Sequence, residues 1–465
     1  MSIVDQSRCA LKETCPEDLA GELGPIFCAF ATLRSVGRPD NFEKAAEEPA
    51  GDPDGNEHAL SFQHGRIQVD GMSFSPIHLR DHCRSPQSFH PITRQRLFDT
   101  FSLPKDLHPV VLRREADEIH ITWSDNGHQS RYPISFLRTI APDVPVQNTE
   151  SSPSKKTLWT EPLQAETHSP SVTYDSLTSS RTSLLQALDL IHQHGVVFIK
   201  SVPPTAEATE SLSLLLSNNH PRRTHYDTFW EFTADLKHGD LAYSNQSLPP
   251  HTDTTYFEDP CGLQIFHLLE HSGPDAQGGE TTLVDGFACA EILRKEDEHS
   301  FNVLSRVQTG AHALGTPGYA FHTGPPGAAG FPALELEKRG SAPKEKPTLR
   351  LIRWNNEDRS KLGAGWGVGE VDEWYNAARA FDEILKRESS VAKVKLKPGI
   401  VVVIDNHRVL HGRTSFTGFR KMCGAYVGKD EWLSLRRVLR REQNHLARVG
   451  QGTSSAQEDV YEGNC

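Results

Sequence analysis

The sequence predicts a mainly β protein with flanking helices, in which a double-stranded β-helix, or jelly roll, follows a small β-rich N-terminal domain. Three observations carry that expectation. Short apolar runs, CGLQIFHLLEH, GGETTLVDGF, KPTLRLIRW and GIVVVID, are separated by Gly and Pro as in a double-sheet sandwich. Helical period is confined to stretches such as RTSLLQALDLIHQHG and EVDEWYNAARAFDEILKRE. Nearer the N-terminus, EIHITWSDNGHQSRYPISFL alternates Ile119, Ile121 and Trp123 with polar residues, and Asn126-Gly127 marks a hairpin turn.

In chain order, residues 1–57 end in FEKAAEEPAGDPDGNEH, without a sustained hydrophobic period, and read as a flexible segment. The β-rich domain spans 58–147. A Ser/Thr/Pro-rich linker follows over 148–181. The jelly roll covers 182–440, beginning with a helix that places Leu184, Leu185, Leu188 and Ile191 on one face, stops at Gly195 and passes into the strand VVFIK. Within it, GTPGYAFHTGPPGAAGFPALELEKRGSAPKEK reads as a long irregular loop, and 441–465 reads as a flexible tail.

Composition narrows the partners. The 465 residues carry a formal net charge of −12, which argues against a broad basic surface for nucleic acid or anionic lipid. No apolar run is long enough for a membrane span, and the N-terminus has neither a signal-peptide core nor the acid-poor, Arg-rich character of a transit peptide. A small-molecule partner and a cytoplasmic location are expected, with a mitochondrial location and a homodimer left open. Eight cysteines without regular spacing read as reduced thiols.

The pattern HxD occurs three times, at His225/Asp227, His238/Asp240 and His251/Asp253. Alone, such a pair is more often a hydrogen-bonded turn than a ligand pair. A non-haem Fe(II) triad needs two His and one carboxylate on one face of the metal. In extended chain, residues i and i+2 point to the same side, so an HxD pair can supply two of the three. His411 in GIVVVIDNHRVLHGRTSF is the natural third ligand, with His407 as an internal rival. Arg420 follows, a cation able to hold a carboxylate through two hydrogen bonds.

PPHTDTTYFEDPCGLQIFHLLEH, GGETTLVDGF, LIRWNNEDR, KLKPGIVVVIDNHRVLHGRTSFTGFRKMCGAYVGKDEW and HLRDHCRSPQSFHPITRQRLFDT together span about residues 78 to 433. With these blocks the chain resembles the γ-butyrobetaine and trimethyllysine dioxygenase family of Fe(II)- and 2-oxoglutarate-dependent enzymes. HTDTTYF with HGRxxFTGxRxxCGxY is similar to the trimethyllysine branch. The resemblance implies that His251, Asp253 and His411 bind Fe(II), and that Arg420, with Thr281 as a second candidate, holds 2-oxoglutarate. It also implies O₂ as the oxidant and ascorbate as the reductant. The implied substrate is a trimethylated amino acid, hydroxylated at C3 in the first step of carnitine biosynthesis. A quaternary ammonium donates no hydrogen bond and is held on aromatic faces, at roughly 0.5–2 kcal/mol per ring. Tyr226, Trp230 and Tyr243 stand where the family places that cage. Asp240 stands where the trimethyllysine branch has Asp and the other branch Asn, and a carboxylate there suits an α-ammonium. Asn355 matches the family residue that meets the substrate carboxylate.

The chain departs from the family at two places. Where cysteines of a structural zinc site can occur, Ser85 and Ser88 accompany Cys83 and His128, so no zinc is expected and packing alone should hold the domain. His407 replaces the Trp usual before the last ligand. Two rival readings remain: a γ-butyrobetaine hydroxylase or an oxygenase of another quaternary amine, and a catalytically silent module that binds quaternary ammonium compounds.

Overall fold

Alternation within GIVVVID sets the layers of the catalytic lobe. Val401 and Val403 pack with Leu184, Leu188 and Trp432 of flanking helices, while Val402 and Ile404 turn to the opposite side and pack with Leu283 and Val409. One strand therefore serves two cores. The structure, a computed structural model, describes residues 60–142, 156–163, 169–233, 243–323, 330–337, 346–362 and 365–451.

Numbered from the first strand of this lobe, the strands are β1 (Ser171–Thr173), β2 (Val196–Lys200), β3 (Phe229–Phe232), β4 (Leu248–His251), β5 (Leu263–Ser272), β6 (Thr281–Asp285), β7 (Val391–Val394), β8 (Ile400–Asp405), β9 (Val409–Arg413) and β10 (Phe419–Val427). The larger sheet runs β3-β10-β5-β8-β2-β1, with Pro221–Arg222 added beside β10. The smaller runs β4-β9-β6-β7. All neighbours are antiparallel except β1 and β2. Helices α1 (Arg181–His194), α2 (Ala206–Leu216) and α3 (Lys429–Gln451) flank the larger sheet. On the far side of the smaller sheet, Gly286–Glu296, Glu298–Arg306 and Val368–Leu385 close a separate core. This is the expected double-stranded β-helix with flanking helices.

The predicted start of the lobe is sharp. Ser180 caps α1 by accepting from the Ser183 amide, and Gly195 ends it at φ +78°, where a side chain is disfavoured and would also strike Val409.

Three expectations need correction. The stretch read as the end of the linker already contains β1 and a helix at Tyr174–Ser179, because β1 pairs in parallel with β2. The tail expected from 441 onward starts inside α3, which runs to Gln451. Its polar surface hid the continuation: Arg436 and Arg440 both pair with Asp189 of α1, and Glu442 pairs with Arg181. The loop read as irregular carries short strands at Phe321–His322, Phe331–Pro332 and Leu334–Leu336. The segments 1–57, 148–155 and 452–465 lie outside the described residues.

In the N-terminal lobe, two three-stranded sheets bury Ile67, Phe74, Ile119, Ile121 and Trp123 together. The hairpin turns at Asn126 and Gly127, both at positive φ. Packing is not its only support. His128 Nε2 lies 3.4 Å from Cys83 Sγ, 3.4 Å from Ser85 Oγ and 3.2 Å from Ser88 Oγ, and buried Arg80 ties Ser88 to Asp125. Burial would push the Cys83 thiol up, but hydrogen bonds with His128, Ser130 and Ser85 overcome it and hold its pKa at about 6.

Candidate active site

The sheet register brings His251 and His411 together. They are opposite residues on β4 and β9, so their side chains share one face despite about 160 intervening residues. Their ring centroids lie 4.3 Å apart. Asp253 arrives differently from the expectation of an extended HxD: β4 ends at His251, and the chain turns through Thr254 at φ +57°, unusual for a β-branched residue. Thr254 Oγ1 accepts from the Cys261 amide. Asn406 holds the turn from the other side, accepting from the Asp253 amide at 2.9 Å and donating to the Asp253 carbonyl at 3.0 Å.

The Asp253 Oδ1 oxygen faces His251 Nε2 at 3.2 Å and His411 Nε2 at 3.6 Å. A metal with bonds of about 2.1 Å sets neighbouring donors about 3 Å apart, so the trio fits one ion. The donor set fits as well. His251 Nδ1 donates to the Pro249 carbonyl at 2.8 Å, which turns the Nε2 lone pair toward the trio. His251, Asp253 and His411 form the one such cluster found among the described residues. Burial would lower the His251 pKa, yet the Asp253 carboxylate outweighs it and raises it to about 9. Asp253 is burdened by burial too, but the two imidazoles hold it well below the usual carboxylate range. Burial and the charge of His251 push His411 down to about 3.

One pocket joins the trio to most of the other residues singled out in the sequence. Arg420 and Thr281 line it, as do Tyr226, Trp230, Tyr243 and Asn355. Arg420 is only 5% exposed, and its guanidinium meets no carboxylate among the described residues. Burial and nearby Arg413 lower its pKa to about 10, which leaves it charged at neutral pH. Such a group is set to receive an anion. Tyr226 and Tyr243 stack with centroids 6.3 Å apart, and Phe232 lies 4.9 Å from Tyr243 and 5.6 Å from Trp230. The Trp230 indole lies against Gly424, where any Cβ would fall 2.4 Å from the ring. Asp240 lies outside the described residues, as does His238.

The other motifs are resolved by their surroundings. His225 packs among Tyr226, Phe321 and Tyr319, while Asp227 turns the chain at positive φ beside Arg223. His407 is absent from the pocket wall. It donates to the Pro260 carbonyl at 3.0 Å, and burial followed by Lys429 lowers its pKa to about 4, so it is a neutral anchor of the turn.

Sequence reasoning missed several lining residues. Tyr426 and Gln264 both bond Asp253, and burial with the Asp253 charge keeps the Tyr426 hydroxyl protonated. Asp358 lines the pocket and accepts from Asn355 Nδ2 at 2.8 Å. Asp358 was legible only as one of the two acids of LIRWNNEDR, three residues after Asn355, and its neighbour Glu357 lines the pocket too.

A jelly roll whose two sheets open onto a facial His/Asp/His trio defines the class: a non-haem iron, 2-oxoglutarate-dependent dioxygenase. Residues 156–426 match the model of the taurine catabolism dioxygenase TauD, TfdA family, and residues 53–178 match that of the gamma-butyrobetaine hydroxylase-like N-terminal region. Trimethyllysine dioxygenase of Neurospora crassa is 35% identical over 392 residues, covering 77% of this chain and 78% of the relative. The mitochondrial trimethyllysine dioxygenase of Rattus norvegicus is 37% identical over 368 residues, covering 79% and 83%. A taurine dioxygenase structure from Burkholderia xenovorans superposes with a TM-score of 0.40 at 13% identity, over 58% of this chain and 90% of that one, too distant to bear on the site. The chain belongs to the taurine catabolism dioxygenase TauD, TfdA family, and within it to the trimethyllysine dioxygenase family.

Proposed function

We propose that the chain hydroxylates N6,N6,N6-trimethyllysine at C3, the opening step of carnitine biosynthesis, with Fe(II), O₂ and 2-oxoglutarate. One observation carries the reading: a buried guanidinium with no carboxylate among the described residues, a trio suited to a metal and an aromatic wall share one pocket. His251, Asp253 and His411 would hold the iron. When bound, iron supplies the oxidising chemistry that couples loss of CO₂ from 2-oxoglutarate to hydroxylation.

The chain's own residues supply position and charge. Arg420 takes the distal carboxylate of 2-oxoglutarate, with Thr281 beside it on the pocket wall. Tyr226, Trp230 and Tyr243, joined by Phe232, present ring faces to the trimethylammonium. At the other end an α-amino acid needs a donor for its carboxylate and an acceptor for its ammonium. Asn355 has an Nδ2 hydrogen left after bonding Asp358, and Asp358 places a carboxylate beside it. Asp240 is proposed as a second acceptor on the strength of the family resemblance.

The test is incubation of the purified chain with Fe(II), ascorbate, 2-oxoglutarate and either trimethyllysine or γ-butyrobetaine, followed by mass spectrometry. Gain of one oxygen by trimethyllysine with matching succinate is expected. Preference for γ-butyrobetaine would overturn the substrate, and absence of both products would leave the silent binding module as the better reading. A cytoplasmic location is proposed for this chain, although the rat relative is named mitochondrial, and fractionation of the tagged full chain decides it. Light scattering decides whether it is a homodimer.

A further inference from the structure

The two oxygens of Asp253 meet different partners. Oδ1 faces the imidazoles, whereas Oδ2 accepts from the Tyr426 hydroxyl at 2.6 Å and from Gln264 Nε2 at 2.5 Å. The two donors reach one oxygen because Gln264 on β5 and Tyr426 on β10 are opposite residues in the larger sheet, so their side chains emerge side by side. Both are buried, and both line the pocket. Asp253 itself belongs to the turn after β4, which extends from the smaller sheet. The contact therefore ties a ligand carried by one sheet to a rigid pair on the other.

A carboxylate can bind a metal through one oxygen or through both, and the second mode consumes a coordination position. A site that must also seat 2-oxoglutarate and O₂ has none to spare. Left to itself on a turn, the carboxylate would also have to be ordered when the metal binds. We propose that Tyr426 and Gln264 form a clamp that reserves Oδ2 for the protein, so that Asp253 offers the metal Oδ1 alone, already oriented. The clamp rests on the metal-ligand role proposed for Asp253. Tyr426 is in this sense a positioning residue, distinct from the rings that face the substrate, although its own ring lies 6.3 Å from Trp230 on the same wall.

Tyr426→Phe separates the two roles, because it keeps the ring and removes the hydroxyl. The full-length chain, Tyr426→Phe, Gln264→Leu and Asp253→Asn would be titrated anaerobically with Co(II), a spectroscopic substitute for Fe(II), by calorimetry and visible absorption. One equivalent should bind the unaltered chain. Tyr426→Phe should weaken Co(II) binding roughly 10- to 100-fold, as loss of hydrogen-bonding partners behind metal ligands does elsewhere, and should shift the visible band. KM for the quaternary amine should change far less. Gln264→Leu should act in the same direction, which keeps the test open if the phenylalanine variant folds poorly. Unchanged or tighter Co(II) binding with an unchanged spectrum in both variants overturns the clamp while leaving the ligands intact. If instead Asp253→Asn binds Co(II) like the unaltered chain, the ligand assignment fails, and the clamp falls with it.

Discussion

Two carboxylates, Asp285 at the end of β6 and Asp253 in the turn after β4, are treated differently by the fold. Asp285 is fully spent. Its Oδ1 accepts from Arg408 Nε at 3.0 Å and from the amides of Phe287 and Ala288, while Oδ2 accepts from Arg408 Nη2 at 2.7 Å and from the Trp159 amide. Arg408 is spent as well, on Asp285 and the carbonyls of Gln193 and Thr157. In the pocket, Asp253 Oδ2 is held by Tyr426 and Gln264 while Oδ1 faces only the two imidazoles, and the buried Arg420 meets no carboxylate among the described residues. A saturated pair holds structure together. An unsaturated one invites ligands, and the proposed function supplies them as a metal ion and a dicarboxylate.

The same substitution at the two positions should separate these roles, and the largest effect is expected at Asp253. Asp253→Asn can still accept from Tyr426 and Gln264 through its amide oxygen, but it no longer places an anionic oxygen beside the two histidines. Metal-dependent turnover should fall to the protein-free background, with the urea midpoint nearly unchanged. A large loss of stability would mean that Asp253 is as structural as Asp285. Next in size, Asp285→Asn strands a buried guanidinium and should cost about 3–5 kcal/mol, read by urea unfolding at pH 7. Co(II) affinity of the folded fraction should be retained, and its loss would erase the distinction.

Arg420→Lys comes third. Lysine keeps the charge but gives up the two-pronged hydrogen bond, so KM for 2-oxoglutarate should rise roughly tenfold, about 1.4 kcal/mol. KM for the amine should change little, and equal changes in both would show that Arg420 shapes the whole pocket rather than serving one carboxylate.

The fold was legible where one local signal decided it. Asn126-Gly127 marked its hairpin, Gly195 ended α1, and the apolar run GIVVVID became a strand buried on both faces. It was hidden where tertiary contacts decided. The middle of α3 is tied to another helix by the pairs of Arg436, Arg440 and Glu442 with Asp189 and Arg181, and β1 is too short to show a period. The candidate site divides the same way. Residues with distinctive chemistry, His251, Asp253, His411 and Arg420, could be named from sequence and stand together in the pocket. Tyr426 and Gln264 could not, because in CGAYVG and CGLQIF they read as ordinary members of buried strands, and only the β5/β10 register makes them neighbours of one oxygen.

The smallest expected effect is at Trp230, where the comparison takes its weakest form. The aromatic wall supplies no countercharge, so a cation there is held by several ring faces, each worth roughly 0.5–2 kcal/mol. Trp230→Leu keeps an apolar side chain in that space and should raise KM for the quaternary amine by roughly 3- to 30-fold, with KM for 2-oxoglutarate unaltered. A lysine analogue lacking the methyl groups should be nearly indifferent to the change, since its ammonium can find hydrogen bonds elsewhere. Equal losses for both amines would make Trp230 a packing residue against Gly424, and would leave Tyr226, Tyr243 and Phe232 to account for recognition of the quaternary centre.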